Sequence, residues 1–395
     1  MFREITGGIN APKGFKSAGI NCGIKQEKKD LALIFSEAPC NVAATFTSNI
    51  VKAAPVQYDQ KIVAKGRAQA IIINTGNANC CTGKRGYNDA VKMAKLTAKE
   101  LGISSEKVLV CSTGIIGRFL PMDKITAGIP IVARKLSSEN FMDAAEAIMT
   151  TDLVTKHIAV EFGAGKTKVI IGAIAKGSGM IQPNMATMLC FIGTDAVVNP
   201  HFMRKALKEA VSQSFNRITV DGDMSTNDTV ILMANGLAGN DEISAKKYGK
   251  LFVEALNFIC RVLAQKIVRD GEGATKFITI HIKNAKTIKE ADKAARMVAN
   301  SPLVKTAIYG ENPNWGRMMA ALGASGALFS PGKVNIFIDR LQVVKSGIRA
   351  EYDEEDAREI MRKKEINILI NLGVGRAESE IWTCDFSHKY VDINI

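Results

Sequence analysis

The chain has 395 residues, 47% of them hydrophobic and 23% charged, enough for several packed layers and more than one core. Its formal net charge of +13 sets 52 lysines and arginines against 39 acids. The basic residues are scattered among acids with no long basic block, and aromatics reach only 6%, so the stacking platform of a nucleic-acid binder is poorly supplied. No apolar run approaches the ~20 residues that span a bilayer. The opening Met1-Phe-Arg-Glu-Ile-Thr-Gly-Gly8 holds no apolar signal core, so a cytoplasmic protein without membrane contact is expected. Eight cysteines (22, 40, 80, 81, 111, 190, 260 and 384) form no C-x-x-C pair and mostly lie in aliphatic surroundings. With four histidines and no H-E-x-x-H, the expectation is reduced thiols and no metal site.

In chain order, 68–73 reads as a strand followed by the turn-rich Asn74-Thr-Gly-Asn-Ala-Asn79. Asn88 caps a predicted helix over 89–101, with apolar positions 90, 91, 94, 98 and 101 near one face. A strand over 107–111 runs into a predicted turn at Ser112-Thr113-Gly114, and helices follow at 121–135 and 138–149. Strands at 157–162 and 167–175 flank Gly163-Ala-Gly-Lys-Thr167, which resembles the end of a phosphate-binding loop. That loop needs a glycine where Val160 stands and a helix where 168–171 reads as strand, so a plain β-turn is expected. Further helices are predicted at 200–213, 243–268, 287–300 and 354–364, the last opening on Glu354, Glu355 and Asp356. Further strands are predicted at 216–221, 229–234, 276–283, 334–339, 366–371 and 379–384. The mixture implies an α+β or layered α/β fold, β layers covered by helices, with a subdomain boundary near 275–285.

The stretch from Lys176 to Leu189 carries the most chemistry. It places a small-residue peptide bond, Ala186–Thr187, between a glycine-rich segment and an apolar run. A threonine there can attack the preceding carbonyl, and the break would leave an N-terminal Thr187 whose amine serves its own hydroxyl as base. An isolated Ala-Thr pair more often merely begins a buried strand. Thr113 and Gly114, at the end of a strand, could offer amides or a hydroxyl to an oxyanion. Lys176, beside Gly177-Ser-Gly179, could meet a carboxylate, and Glu272, between Gly271 and Gly273, could hold an ammonium; most such side chains are solvated. The polar runs Ser214 to Asp228 and Tyr309 to Arg317 can order irregular backbone around a site. Asp221 and Asp223 alone are poor support for a cation site.

Together these segments resemble the ornithine acetyltransferases, or glutamate N-acetyltransferases, of arginine biosynthesis. The resemblance runs through Ala11-Pro-Lys-Gly-Phe-Lys16, Asn74 to Asn79, Ser112-Thr-Gly114, Met149-Thr-Thr-Asp152, the Thr187 segment, Asp221 to Asp228, Asp270 to Lys276 and Asn312-Pro-Asn-Trp-Gly316. It implies a precursor that cuts itself between Ala186 and Thr187 into an α chain, 1–186, and a β chain, 187–395, with a C-terminal subdomain from about 280. The implied assembly is an α2β2 heterotetramer. The implied fold is α+β, a layered β-sheet sandwich flanked by helices, similar to but distinct from N-terminal-nucleophile hydrolases. The implied reaction is ping-pong transfer of acetyl from N2-acetylornithine to glutamate through acetyl-Thr187, with no cofactor and with acetyl-CoA as a further candidate donor. Thr113 and Gly114 match the oxyanion pair; Thr150, Lys176, Thr187, Glu272 and Asn394 match substrate-binding positions. Lys176 would answer the α-carboxylate and Glu272 the side-chain ammonium. Two positions depart from the pattern: Gln182 stands where many relatives have histidine, and the terminal serine or threonine of the family has no counterpart after Asn394, where the chain reads Ile395. The rival expectation is a self-cleaving aminopeptidase or amidase that passes its acyl group to water.

Overall fold

The computed structural model describes residues 1–182 and 188–395. The chain divides into two compact units, residues 1–216 with 223–267, and residues 217–222 with 268–395.

The larger unit holds strands β1 (Phe2–Ile5), β2 (Phe15–Ile20), β3 (Leu31–Phe46), β4 (Arg67–Asn77), β5 (Val108–Ile115), β6 (Lys156–Ala164), β7 (Thr167–Lys176), β8 (Leu189–Thr194) and β9 (Thr229–Ala234). Its helices are α1 (Ala54–Val63), α2 (Gly83–Leu101), α3 (Met122–Arg134), α4 (Met142–Ala147), α5 (Pro200–Ser212) and α6 (Gly249–Arg269), the last ending beyond the unit boundary. Among the described residues the strands form one nine-stranded sheet in the order β1-β6-β7-β8-β9-β3-β4-β5, with β2 on β3. β3 makes this continuity possible. Its first part pairs with β2 and β4, the register shifts between Phe35 and Cys40, and residues 41–46 pair with β9. The apolar faces of α2, α3 and α4 close a core with β2 to β5. α6 buries Phe252, Leu256, Ile259, Leu263 and Ile267, three or four residues apart, as a helix does when one face meets a core.

The smaller unit holds β10 (Phe277–Ala285), α7 (Ile288–Asn300), α8 (Pro302–Tyr309), α9 (Trp315–Ala324), β11 (Asn335–Ile338), β12 (Leu341–Lys345), β13 (Ile348–Arg349), α10 (Glu354–Met361), β14 (Glu365–Asn371), β15 (Ala377–Cys384) and α11 (His388–Asn394). Among the described residues its sheet has six strands, ordered β13-β12-β11-β14-β10-β15. α7 starts at Thr287, whose hydroxyl accepts from the Glu290 amide, and presents Ala291, Ala294, Ala295 and Val298 to the core. Both units are α+β, with sheets layered against helices.

Several local expectations change. Asn74 to Asn77 continue β4, and Ser112 to Gly114 continue β5, because these segments pair with each other in parallel. The helix expected from 89 begins at Gly83, so Asn88 lies inside it; buried Gly86, Ala90, Met93, Ala94 and Thr97 extend its apolar face. The helix expected over 138–149 spans only Met142–Ala147. The helix expected from 243 begins at Gly249, since Ile243 bridges Val198 and a tight turn follows. The strand expected over 216–221 is absent. Phe215–Arg217 form a short 3-10 turn, and Ile218 makes only an isolated bridge to Trp382.

Candidate active site

The parallel pair β4 and β5 sets Thr75 beside Thr113 and Gly76 beside Gly114. Gly114 takes φ +133°, and a Cβ there would lie 2.4 Å from the Gly76 carbonyl carbon, so the close approach requires glycine. The Asn74 to Asn79 run braces this strand end from inside. Ser112 Oγ donates to Asn74 Oδ1 (2.6 Å), Asn74 Nδ2 donates to the Asn77 carbonyl (2.9 Å), and Asn77 Nδ2 donates to the Phe119 carbonyl (3.0 Å). Asn227 adds a cross-brace, its Nδ2 donating to the Ala78 and Ser112 carbonyls at 2.7 and 2.8 Å. Thr113 is buried, whereas Gly114 faces solvent. A rigid strand end with an open glycine is where a fixed amide dipole can meet developing negative charge.

Thr150 and Lys176 meet at a third residue, Asp152. The Thr150 amide donates to Asp152 Oδ2 (2.9 Å), and Lys176 Nζ lies 3.7 Å from the same oxygen. Lys156 Nζ and the Gly177 amide each donate to Oδ1, at 2.7 Å. All three charged side chains are buried. Burial works to raise the Asp152 carboxyl, but the Lys176 and Lys156 charges and the hydrogen bonds overcome it and hold the group well below the usual carboxylate range. Lys176, expected to be solvated if it had no role, is 1% exposed.

Lys25 joins these two groups of residues. Its stem lies over Gly76, and its Nζ donates to the Met149 carbonyl (2.6 Å), directly before Thr150. Burial pulls its ammonium down to about 8, against the opposing effect of Asp30 and with help from the Lys176 charge.

In the smaller unit, Glu272 and Asn394 come together. Asn394 Nδ2 donates to Glu272 Oε2 (2.8 Å) and to the Tyr390 carbonyl (2.9 Å), so α11 closes on the Gly271-Glu272-Gly273 turn. Ser387 Oγ secures the turn through the Gly273 carbonyl (2.5 Å), and a Cβ at Gly273 would lie 2.6 Å from the Tyr390 amide. Glu272 is 8% exposed, not a turn acid in open water.

Ala186 and Thr187 lie outside the described residues. The residue after them, Met188, is held on both sides: its amide donates to Asp228 Oδ1 (3.0 Å) and its carbonyl accepts from the Thr229 amide (3.2 Å). Asp152, Lys156, Asp228 and Lys25 had no assigned role in the sequence reading. Asp152 and Asp228 close two of the noted motifs, and that was the only available signal; Lys25 sits in an unremarkable lysine-rich loop. Among the described residues no cluster of three or more His, Cys, Asp and Glu is placed to hold a metal ion, and the eight cysteines are free. The Gly165 turn joins β6 to β7 as a hairpin, without the helix a phosphate loop needs. Among the described residues no helix is long and apolar enough to cross a membrane.

The same positions fall within matches to known proteins. The family model described as the ArgJ family matches residues 16–395. The arginine biosynthesis bifunctional protein ArgJ of Caldanaerobacter subterraneus subsp. tengcongensis is 50% identical, over 99% of this chain and 98% of its own. The protein of the same name from Symbiobacterium thermophilum is 49% identical, again over 99% and 98%. The crystal structure of arginine biosynthesis bifunctional protein ArgJ from Bacillus halodurans aligns with a TM-score of 0.50 at 39% identity, spanning 52% of this chain and 97% of that one. Near-complete matches at half identity, running through every position described above, place this chain in the ArgJ family.

Proposed function

We propose that this protein is a self-cleaving acetyltransferase of arginine biosynthesis, moving acetyl from N2-acetylornithine to glutamate. The observation that carries the reading is the family match from residue 16 to 395, which takes in Thr113, Gly114, Thr150, Lys176, Ala186, Thr187, Glu272 and Asn394. The Bacillus halodurans polypeptide supports a division of the chain: nearly all of it is spanned by 52% of this one, close to the half-length product of a mid-chain cut.

The chain divides between Ala186 and Thr187, and the freed α-amine, with an ordinary pKa of about 7.7–8.0, takes the Thr187 hydroxyl proton near neutrality. The hydroxyl attacks the acetyl carbonyl of acetylornithine, and ornithine leaves. The amine of glutamate then attacks acetyl-Thr187 and departs as N-acetylglutamate. Both tetrahedral intermediates carry an oxyanion, which the Thr113–Gly114 strand end stabilises. Lys176, its Nζ 3.7 Å from Asp152 Oδ2, receives the substrate α-carboxylate. Glu272, oriented by Asn394, receives the ornithine ammonium. Donor and acceptor are both substrates, so the cycle needs no cofactor. The two chains stay together and assemble as an α2β2 heterotetramer in the cytoplasm.

The experiment supplies N2-acetylornithine with and without glutamate and follows ornithine. Release that depends on glutamate, with stoichiometric N-acetylglutamate, is the expected result. Steady release of ornithine and acetate without glutamate would instead make the protein an amidase. A third arm, acetyl-CoA plus glutamate, decides whether the thioester also loads Thr187.

A further inference from the structure

We propose that Asp385 is a positioning residue for Glu272: it fixes the backbone from which Glu272 projects, and so sets the preference for donors with a side-chain ammonium. The proposal rests on the reading of Glu272 as the ammonium receiver and adds the group that holds it in place.

Glu272 lies in a turn that its own residues leave soft. Glycines flank it on both sides, and Gly273 takes φ +70°. The Ala274 amide closes the turn on the Gly271 carbonyl (2.9 Å). A carboxylate that must meet one ammonium needs further support from outside such a turn.

That support comes from the end of β15. Phe277 of β10 pairs with Cys384 of β15 at one end of their antiparallel ladder. One step further, where Lys276 would face Asp385, the Asp385 side chain takes over from backbone pairing. Its Oδ1 accepts the Thr275 amide (2.8 Å) and the Lys276 amide (2.9 Å), and its Oδ2 accepts the Thr275 hydroxyl. Further along the same segment, Ser387 Oγ holds the Gly273 carbonyl and Asn394 Nδ2 holds the Glu272 carboxylate. Asp385, Ser387 and Asn394 thus grip positions 275–276, 273 and 272 in turn, as a splint.

The three grips are not equal. α11, which carries Asn394, buries none of its residues, so it cannot anchor the splint by itself. Asp385 is 0% exposed. The strand end that presents it is pinned by Lys305, itself 1% exposed, whose Nζ donates to Thr383 Oγ1 (2.8 Å) and to the Cys384 carbonyl and lies 4.6 Å from the Phe386 ring centroid. Without Asp385, Glu272 would keep its charge and lose its place. The ammonium contact would weaken while contacts to the rest of the substrate stayed as they were.

The test measures kcat and KM for N2-acetylornithine at saturating glutamate, and Ki for N2-acetylnorvaline, which has the same carbon chain without the ammonium. Asp385→Ala should raise KM by ~10-fold or more, the scale of a hydrogen bond to a charged group, with kcat and Ki unchanged. A merely structural defect would move Ki together with KM. Asp385→Asn keeps an oxygen for both amides, and its KM should return toward wild type. If Asp385→Ala fails to fold, Thr275→Val decides; it removes one hydroxyl bond at an exposed position and should raise KM by ~2-fold or more with Ki unchanged. An unchanged KM in the deciding variant, equal changes in KM and Ki, or an asparagine variant as impaired as alanine would overturn the proposal. Glu272→Gln separates the two readings. If it raises KM while Asp385→Ala does not, only the positioning role falls. If it leaves KM unchanged, Glu272 does not receive the ammonium, and both readings fall.

Discussion

Asp152 is the residue on which the candidate site depends most. It receives two ammonium groups and two backbone amides in a buried setting, and its side chain is fully covered. Such a group is costly to remove, because its partners stay behind with their charge. Asp152→Asn should therefore lower stability in urea unfolding by about 3–5 kcal/mol, the usual cost of orphaning a buried charge. The pH dependence has a definite sign. The folded-state pKa lies below the unfolded value of about 3.9, so the carboxylate stabilises above that pH and the contribution is lost as pH falls through the folded value. Wild type should lose stability on acidification below about pH 4, and Asp152→Asn should lose less over the same range. None of this was legible in the residues alone. Glycine neighbours marked Lys176 for attention, but an ion cluster built from positions 152, 156 and 176 exists only once β6 and β7 pair.

At the scale of elements, the strand end of β5 makes the sharpest demand. Gly114→Ala would drive a Cβ to within 2.5 Å of the Asn77 amide nitrogen at a φ of +133°, so Thr113 and Gly114 must move off β4. The expected effect is a loss of about 10²-fold or more in kcat for acetyl transfer from a chain that still folds, the scale of removing one oxyanion donor. Steady-state rates at saturating acetylornithine check it. The same region marks where sequence patterning succeeds and fails. The buried run 229–234 has the bounds expected of it, because six consecutive buried positions leave no helical alternative. Ser112-Thr-Gly114 and Asn74 to Asn77 looked like turns because their small polar residues suit turns. They are strands because those side chains bond inward to one another. Residues 216–221 have a strand-like alternation, yet only Ile218 finds a bridge partner, and no ladder forms.

Across the molecule, the proposed division falls between two neighbouring strands of the larger sheet. β7 would belong to the first chain and β8 to the second, paired from Ile171 and Thr194 to Lys176 and Leu189. β9 in turn pairs with β3 of the first chain, so the second chain's two strands are inserted inside a sheet the first chain otherwise builds. The cut products therefore cannot part without opening the middle of that sheet. The layered α+β class was legible from alternating strand and helix patterns. The insertion was not, because it depends on the register shift in β3 between Phe35 and Cys40 and on that strand serving two sets of partners. The central claim is that Thr187 becomes an N-terminus and then holds the acetyl group. Intact mass under denaturing conditions, taken before and after incubation with N2-acetylornithine alone, tests it most directly. The account predicts two chains, the second beginning at Thr187 and heavier by one acetyl group after incubation. A single undivided chain, or an acetyl group carried on the first chain, would contradict it.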